Sequence, residues 1–103
     1  MSKKYFDLAK KYGDVLKLEG INLKGLYVFG SRAKGKGKKW SDLDIGIISD
    51  DFGDDRIAGM SKLFYLGTKV SDLIEPHLFT SKEFGHKYDV LAQEIKRTGI
   101  RII

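Results

Sequence analysis

A chain of 103 residues with a net charge of +5, 42% hydrophobic and 32% charged, has the composition of one folded domain with enough apolar material for a core and little left for a separate substrate-reading domain. No apolar stretch approaches the ~20 residues needed to cross a bilayer, the opening Met1-Ser2-Lys3-Lys4-Tyr5-Phe6-Asp7 lacks the apolar centre of a signal peptide, and the lack of cysteine excludes disulfides and thiolate metal sites. The expectation is a single cytoplasmic domain over residues 1–103, with no membrane contact, that relies on a partner to recognise any large acceptor.

Residues 3–18 set Phe6, Ala9, Val15 and Leu16 among lysines, an amphipathic helix pattern crossed by Gly13. Gly20 and Gly25 lead into Leu26-Tyr27-Val28-Phe29, which reads as a strand. Gly30-Ser31 ends it where a helix can begin, and free backbone N–H groups at such a point attract phosphate. Arg32, Lys34, Lys36, Lys38 and Lys39 then crowd a loop loosened by Gly35 and Gly37. That loop is electropositive whatever it meets, as a solvated segment or as a clamp over a triphosphate or a nucleic-acid backbone. The apolar run Leu43-Asp44-Ile45-Gly46-Ile47-Ile48 reads as a second strand, so Asp42 and Asp44, two apart, project from one face. Two carboxylates on one rigid face suit Mg²⁺, which favours carboxylates shared with substrate phosphates.

After Ile48 the acidic stretch Asp50-Asp51-Phe52-Gly53-Asp54-Asp55 leads to a helix over about residues 55–66, capped by Asp54 or Asp55. A strand follows near 70–79, with Val70, Ile74 and Leu78 on one face and Glu75 and His77 on the other. Phe84, Tyr88, Leu91 and Ile95 fall on one helical stripe that stops near Thr98-Gly99. The apolar end Ile100-Arg101-Ile102-Ile103 is either a short edge strand or a contact with another chain. This order predicts an α/β fold, a small mixed sheet packed by helices.

A phosphate-attracting turn at Gly30-Ser31 beside the Asp42 and Asp44 carboxylates points to nucleotidyl transfer, whose two-metal centre needs a third acid beside the attacking hydroxyl. Asp72 shares parity with the core-facing Val70, Ile74 and Leu78 and more simply caps a turn, whereas Glu75 lies on the polar face with His77, so Glu75 is the candidate. Pro76 cannot donate to a ladder, which implies an edge strand or a bulge, and a bulge would reset that parity. A partly exposed histidine on a strand is more often structural than catalytic, and His77 is read so.

The spacing Gly30-Ser31, ten residues, Asp42-Leu43-Asp44 resembles the signature of the minimal nucleotidyltransferases of the DNA polymerase beta superfamily, and Arg32 and Ser41 also suit it. Glu75-Pro76, followed by Glu83-Phe84, is similar to a pattern many small members carry, although Glu75 is one methylene longer than the aspartate usual at the third position. The resemblance implies that Gly30, Ser31 and Arg32 bind the nucleotide, that Asp42, Asp44 and Glu75 hold two Mg²⁺ ions and carry catalysis, and that an NMP, AMP from ATP above all, moves to a protein or other hydroxyl acceptor. Small members often act as antitoxins that adenylylate a separately encoded helical toxin of the higher-eukaryote-and-prokaryote nucleotide-binding (HEPN) class. Two other readings stand beside this one: a nucleotide-binding antitoxin or regulatory subunit without turnover, and a nucleic-acid binder using the basic loop 32–39, which no interleaved aromatics support.

Overall fold

In the computed structural model, which describes residues 1–38 and 41–103, the second predicted strand becomes an inner strand of the sheet. That strand, β2 (Leu43–Ile48), runs antiparallel to β1 (Gly25–Phe29) and parallel to β3 (Ile74–Phe79), and the two-residue β4 (Ile100–Arg101) flanks β1, giving the mixed order β3-β2-β1-β4. Strand alternation then sorts the core into two layers. Leu43, Ile45 and Ile47 face α1 (Lys3–Leu18) and α3 (Arg56–Thr68) in a cluster with Tyr12, Leu16, Leu63 and Leu66. On the other face Phe29, Ile48 and Phe79 pack on Ala92 and Ile95 of α5 (Val90–Thr98). Two single-turn helices, α2 (Gly30–Ala33) and α4 (Ser81–Phe84), follow the ends of β1 and β3. Lys39, the last of the predicted basic run, lies outside the described residues.

Leu43 and Ile45 are fully buried. Leu43→Ala or Ile45→Ala is therefore expected to cost about 2–5 kcal/mol in denaturant unfolding, since each opens a cavity between sheet and helices that cannot collapse fully. A loss well under ~1 kcal/mol at both sites would show that this face is not the core.

Several local expectations are met with a physical reason attached. Asp55 caps α3, accepting from the Ala58 N–H at 3.1 Å. Gly13 does not break α1, and a Cβ there would run into the Ile103 side chain, so the glycine makes room for the chain's last residue. The apolar end is an edge strand: Leu26 N–H donates to the Ile103 carbonyl at 3.1 Å and accepts from Ile102 N–H at 2.8 Å, through its own carbonyl.

Others are corrected. The third strand begins at Ile74 and not near 70, because the Val70 and Ser71 N–H groups turn back to the Gly67 carbonyl and close the end of α3. Pro76 sits on an edge strand without a bulge. The register with β2 is unbroken from Leu43↔Ile74 to Ile48↔Phe79, and the bonds Leu43 N–H to Leu73 O and Ser49 N–H to Phe79 O show that odd-numbered residues turn their backbone groups toward β2. The Pro76 nitrogen therefore faces the open edge, where Arg56 Nη1 also donates to the Leu78 carbonyl at 2.7 Å, and both devices discourage pairing with a further strand. The single stripe from Phe84 to Ile95 is not one helix. Asp89 accepts from Ala92 N–H at 2.9 Å and restarts the helix at Val90, leaving Tyr88 exposed, while Phe84 belongs to α4 and packs on Tyr27 and Phe79.

Candidate active site

Register across the sheet brings the acids together. Phe29, Asp44 and Glu75 form one row of Cα partners, and Tyr27, Gly46 and His77 form the next, all on the face away from α1 and α3. Carboxylate oxygens of Asp44 and Glu75 and a ring nitrogen of His77 lie within 4.8 Å of one another. His77 Nε2 is 3.3 Å from Asp44 Oδ1, and both side chains stay open to solvent, 29% and 27% exposed. The His77 ring is set edge-on to Phe29, centroids 5.0 Å apart, which fixes its tilt toward the acids. Asp42 stands just before β2, exposed, and joins the group through a hydrogen bond with Glu75. That bond, then burial, then the charges of Asp44 and Asp42 hold the Glu75 carboxyl above its usual range, with His77 pulling the other way. Asp72 lies outside the group, exposed in the turn before β3.

Gly30 meets two demands at one position. Its φ of 73° is a left-handed conformation, and a Cβ there would lie 2.7 Å from Asp44 Oδ2. The turn therefore presses its backbone against the Asp44 carboxylate, with Ser31 exposed beside it. The first N–H groups of α2, as at the start of any helix, have no carbonyl partner within it. Lys34, Lys36 and Lys38 are exposed on the following loop, with Lys34 Nζ 3.9 Å from Glu94 Oε1. Arg32, expected beside the phosphates, is buried and donates from Nη2 to the Ser41 carbonyl at 2.8 Å.

Two residues change standing. His77, read as structural, stands among the acids; its parity with Glu75 was visible in the sequence, but its approach to Asp44 depends on the parallel register. Glu83, part of the family-like Glu-Phe pair, closes a capping box with Thr80 and pairs with Arg56. The Thr80 backbone N–H first, and Arg56 with it, hold its carboxyl below the usual range against the opposing effect of burial. Its role is to tie α4 to α3.

The donor set fits a divalent cation. Oxygen-rich ligands with one imidazole converge from one face, and the negative charges of Asp42 and Asp44, which add to the hydrogen bond and burial in raising Glu75, are what a bound cation would offset.

A nucleotidyltransferase-domain family profile matches residues 9–103. The chain belongs to that family, and its four-stranded mixed sheet packed by helices is the α/β architecture expected of it. Solved structures share the fold. A toxin–antitoxin crystal structure with AMP-PNP superposes with a TM-score of 0.69 at 22% identity, covering 91% of this chain and 72% of that one. A nucleotidyltransferase candidate from Sulfolobus solfataricus superposes with a TM-score of 0.62 at 18% identity, covering 95% and 78%. No curated protein sequence matches. Among the described residues no helix is long and apolar enough to cross a membrane.

Proposed function

We propose that the domain transfers AMP from ATP to a hydroxyl on a partner protein. The observation that carries the proposal is the packing of the Gly30 backbone against Asp44 in the same sheet row as Glu75, because it sets a phosphate-attracting turn and the acids side by side. Ser31 and the backbone N–H groups of the turn bind the terminal phosphates. Asp42, Asp44 and Glu75 would hold two Mg²⁺ ions, with His77 bracing Asp44, and the ions when bound would neutralise charge on the transferring phosphate and make the acceptor hydroxyl more acidic. Glu75, in the same sheet row as Asp44, takes the proton of the acceptor hydroxyl. The acceptor oxygen bonds to the α-phosphorus as the bond from that phosphorus to the β-bridging oxygen breaks, and pyrophosphate leaves in line.

The partner reading draws on the toxin–antitoxin neighbour for the pairing and on the family resemblance alone for the toxin class: a helical HEPN-type toxin carries the hydroxyl, and this chain is its antitoxin. Glu75 in place of the shorter aspartate favours a second reading, nucleotide binding without turnover by an antitoxin or regulatory subunit. Nucleic acid binding would fall to the exposed Lys34, Lys36 and Lys38.

Calorimetric titration of a non-hydrolysable ATP analogue with Mg²⁺ at two ionic strengths tests the phosphate site. Ser31→Ala is expected to weaken binding by about 1 kcal/mol at both strengths, the scale of one hydrogen bond. Lys38→Ala should weaken it mainly at low salt, where a diffuse field still reaches the ligand. Equal loss for both variants at both strengths would contradict the assignment of Ser31.

A further inference from the structure

Arg32 follows the Gly30-Ser31 turn, where a cation would be expected to face phosphate, yet the fold turns it inward. It is 4% exposed, the only buried charged residue among those described. Its guanidinium carbon lies 4.1 Å from the ring centroid of Tyr5, in the first turn of α1. Nη2 donates to the Ser41 carbonyl at 2.8 Å, and Gly37 lies so close that a Cβ there would be 2.6 Å from Arg32 Cδ. Ser41 in turn fastens the loop, its Oγ accepting from the Lys38 N–H at 2.9 Å, and it immediately precedes Asp42. Contacts therefore run from Tyr5 through Arg32 and Ser41 to the residue that bonds Glu75.

We infer that Arg32 is a positioning residue: its grip on the Ser41 carbonyl, backed by the Tyr5 ring, sets where Asp42 stands beside Glu75 and so couples the first turn of α1 to the catalytic acids. The chemistry requires arginine. A planar guanidinium lies flat on an aromatic ring while its edge donates to a carbonyl, whereas a lysine ammonium cannot do both from one place. Released from Ser41, the loop would leave a part-buried carbonyl short of a donor and Asp42 free to wander. A displacement of about 1 Å at such a group costs up to ~10²-fold in rate. The kinetic part of this inference rests on the transferase reading above; the structural part does not.

Three changes around one side chain test it: Tyr5→Leu removes the stack, Gly37→Ala crowds the guanidinium stem, and Arg32→Lys keeps the charge but not the fork. Each is expected to lower kcat about tenfold while the KM for ATP stays within about twofold, the split produced by misplacing a group that serves the transition state. Each should also shift the Asp42 and Glu75 backbone amide resonances of the isolated protein, and Tyr5→Phe, which keeps the ring, should restore both rate and resonances. Tyr5→Leu and Gly37→Ala at wild-type constants, with Arg32→Lys alone raising KM, would overturn the inference and return Arg32 to the phosphates. If Arg32→Lys fails to fold, the other two decide. A wild-type protein that transfers nothing would sink the transferase reading alone: the amide resonances then judge the coupling, with an unmoved Asp42 in Tyr5→Leu and Gly37→Ala overturning it and a shifted one supporting it.

Discussion

Asp44→Asn is expected to lower nucleotidyl transfer by about 10²- to 10³-fold or more, the scale on which a preorganised site loses one electrostatic element, with little change in melting temperature. The substitution conserves shape. It leaves the close approach to Gly30 in place and keeps a side chain within reach of His77, while deleting the negative charge that on the proposed reading would face phosphate and cation. Asp44 contributes nothing to the apolar core, since its neighbours Leu43 and Ile45 carry the buried face. Activity and thermal melts on the same preparations separate the two roles. Wild-type activity in Asp44→Asn would remove Asp44 from the chemistry, whereas nucleotide binding with no transfer by the wild-type protein would promote binding without turnover.

Glu75→Gln should divide kcat from affinity. On the proposed reading Asp42 and Asp44 would still serve the nucleotide in this variant, so binding should persist, while the rate falls by about 10²–10⁴-fold, the usual contribution of a positioned proton acceptor. Asp72→Asn is the internal control, because Asp72 is exposed in the turn before β3 and outside the acidic group. It should leave the rate unchanged and shift stability by no more than ~0.5 kcal/mol, as for an ordinary surface substitution. Glu75→Asp adds a graded test of side-chain length: a faster variant would mean that the extra methylene holds the natural carboxylate away from its best position. A dead Asp72→Asn beside an active Glu75→Gln would reverse the assignment of the third acid.

The parts of the fold legible in the sequence are those set by local alternation. Leu43, Ile45 and Ile47 announce their buried face at every second position, and Asp55 announces a helix start by chemistry that acts three residues away. Parity places Glu75 on the polar face, and the unbroken β2–β3 register preserves that around Pro76, whereas Asp72 is set apart by standing in the turn before the strand. The apolar pattern misleads where a local hydrogen bond, from a side chain or from the backbone itself, redirects the chain. Asp89 stops a helical stripe whose apolar spacing looked continuous, and the tail of α3 imitates strand parity at Val70 before the strand exists. At the site, Gly30-Ser31 and the acids could be named because their spacing is local. His77 beside Asp44 and Arg32 beneath Tyr5 could not, since the first depends on which residue of β3 pairs with β2 and the second on a helix far away in the chain.

The central claim, transfer of a nucleotidyl group, is tested most directly by incubating the chain and its candidate partner protein with Mg²⁺ and ATP labelled separately at the α- and γ-phosphates. The account predicts that the α-label becomes covalently attached to the partner, that the γ-label leaves as pyrophosphate, and that both events fail with Asp44→Asn. Attachment of the γ-label instead, or attachment of the α-label that survives Asp44→Asn, would contradict it.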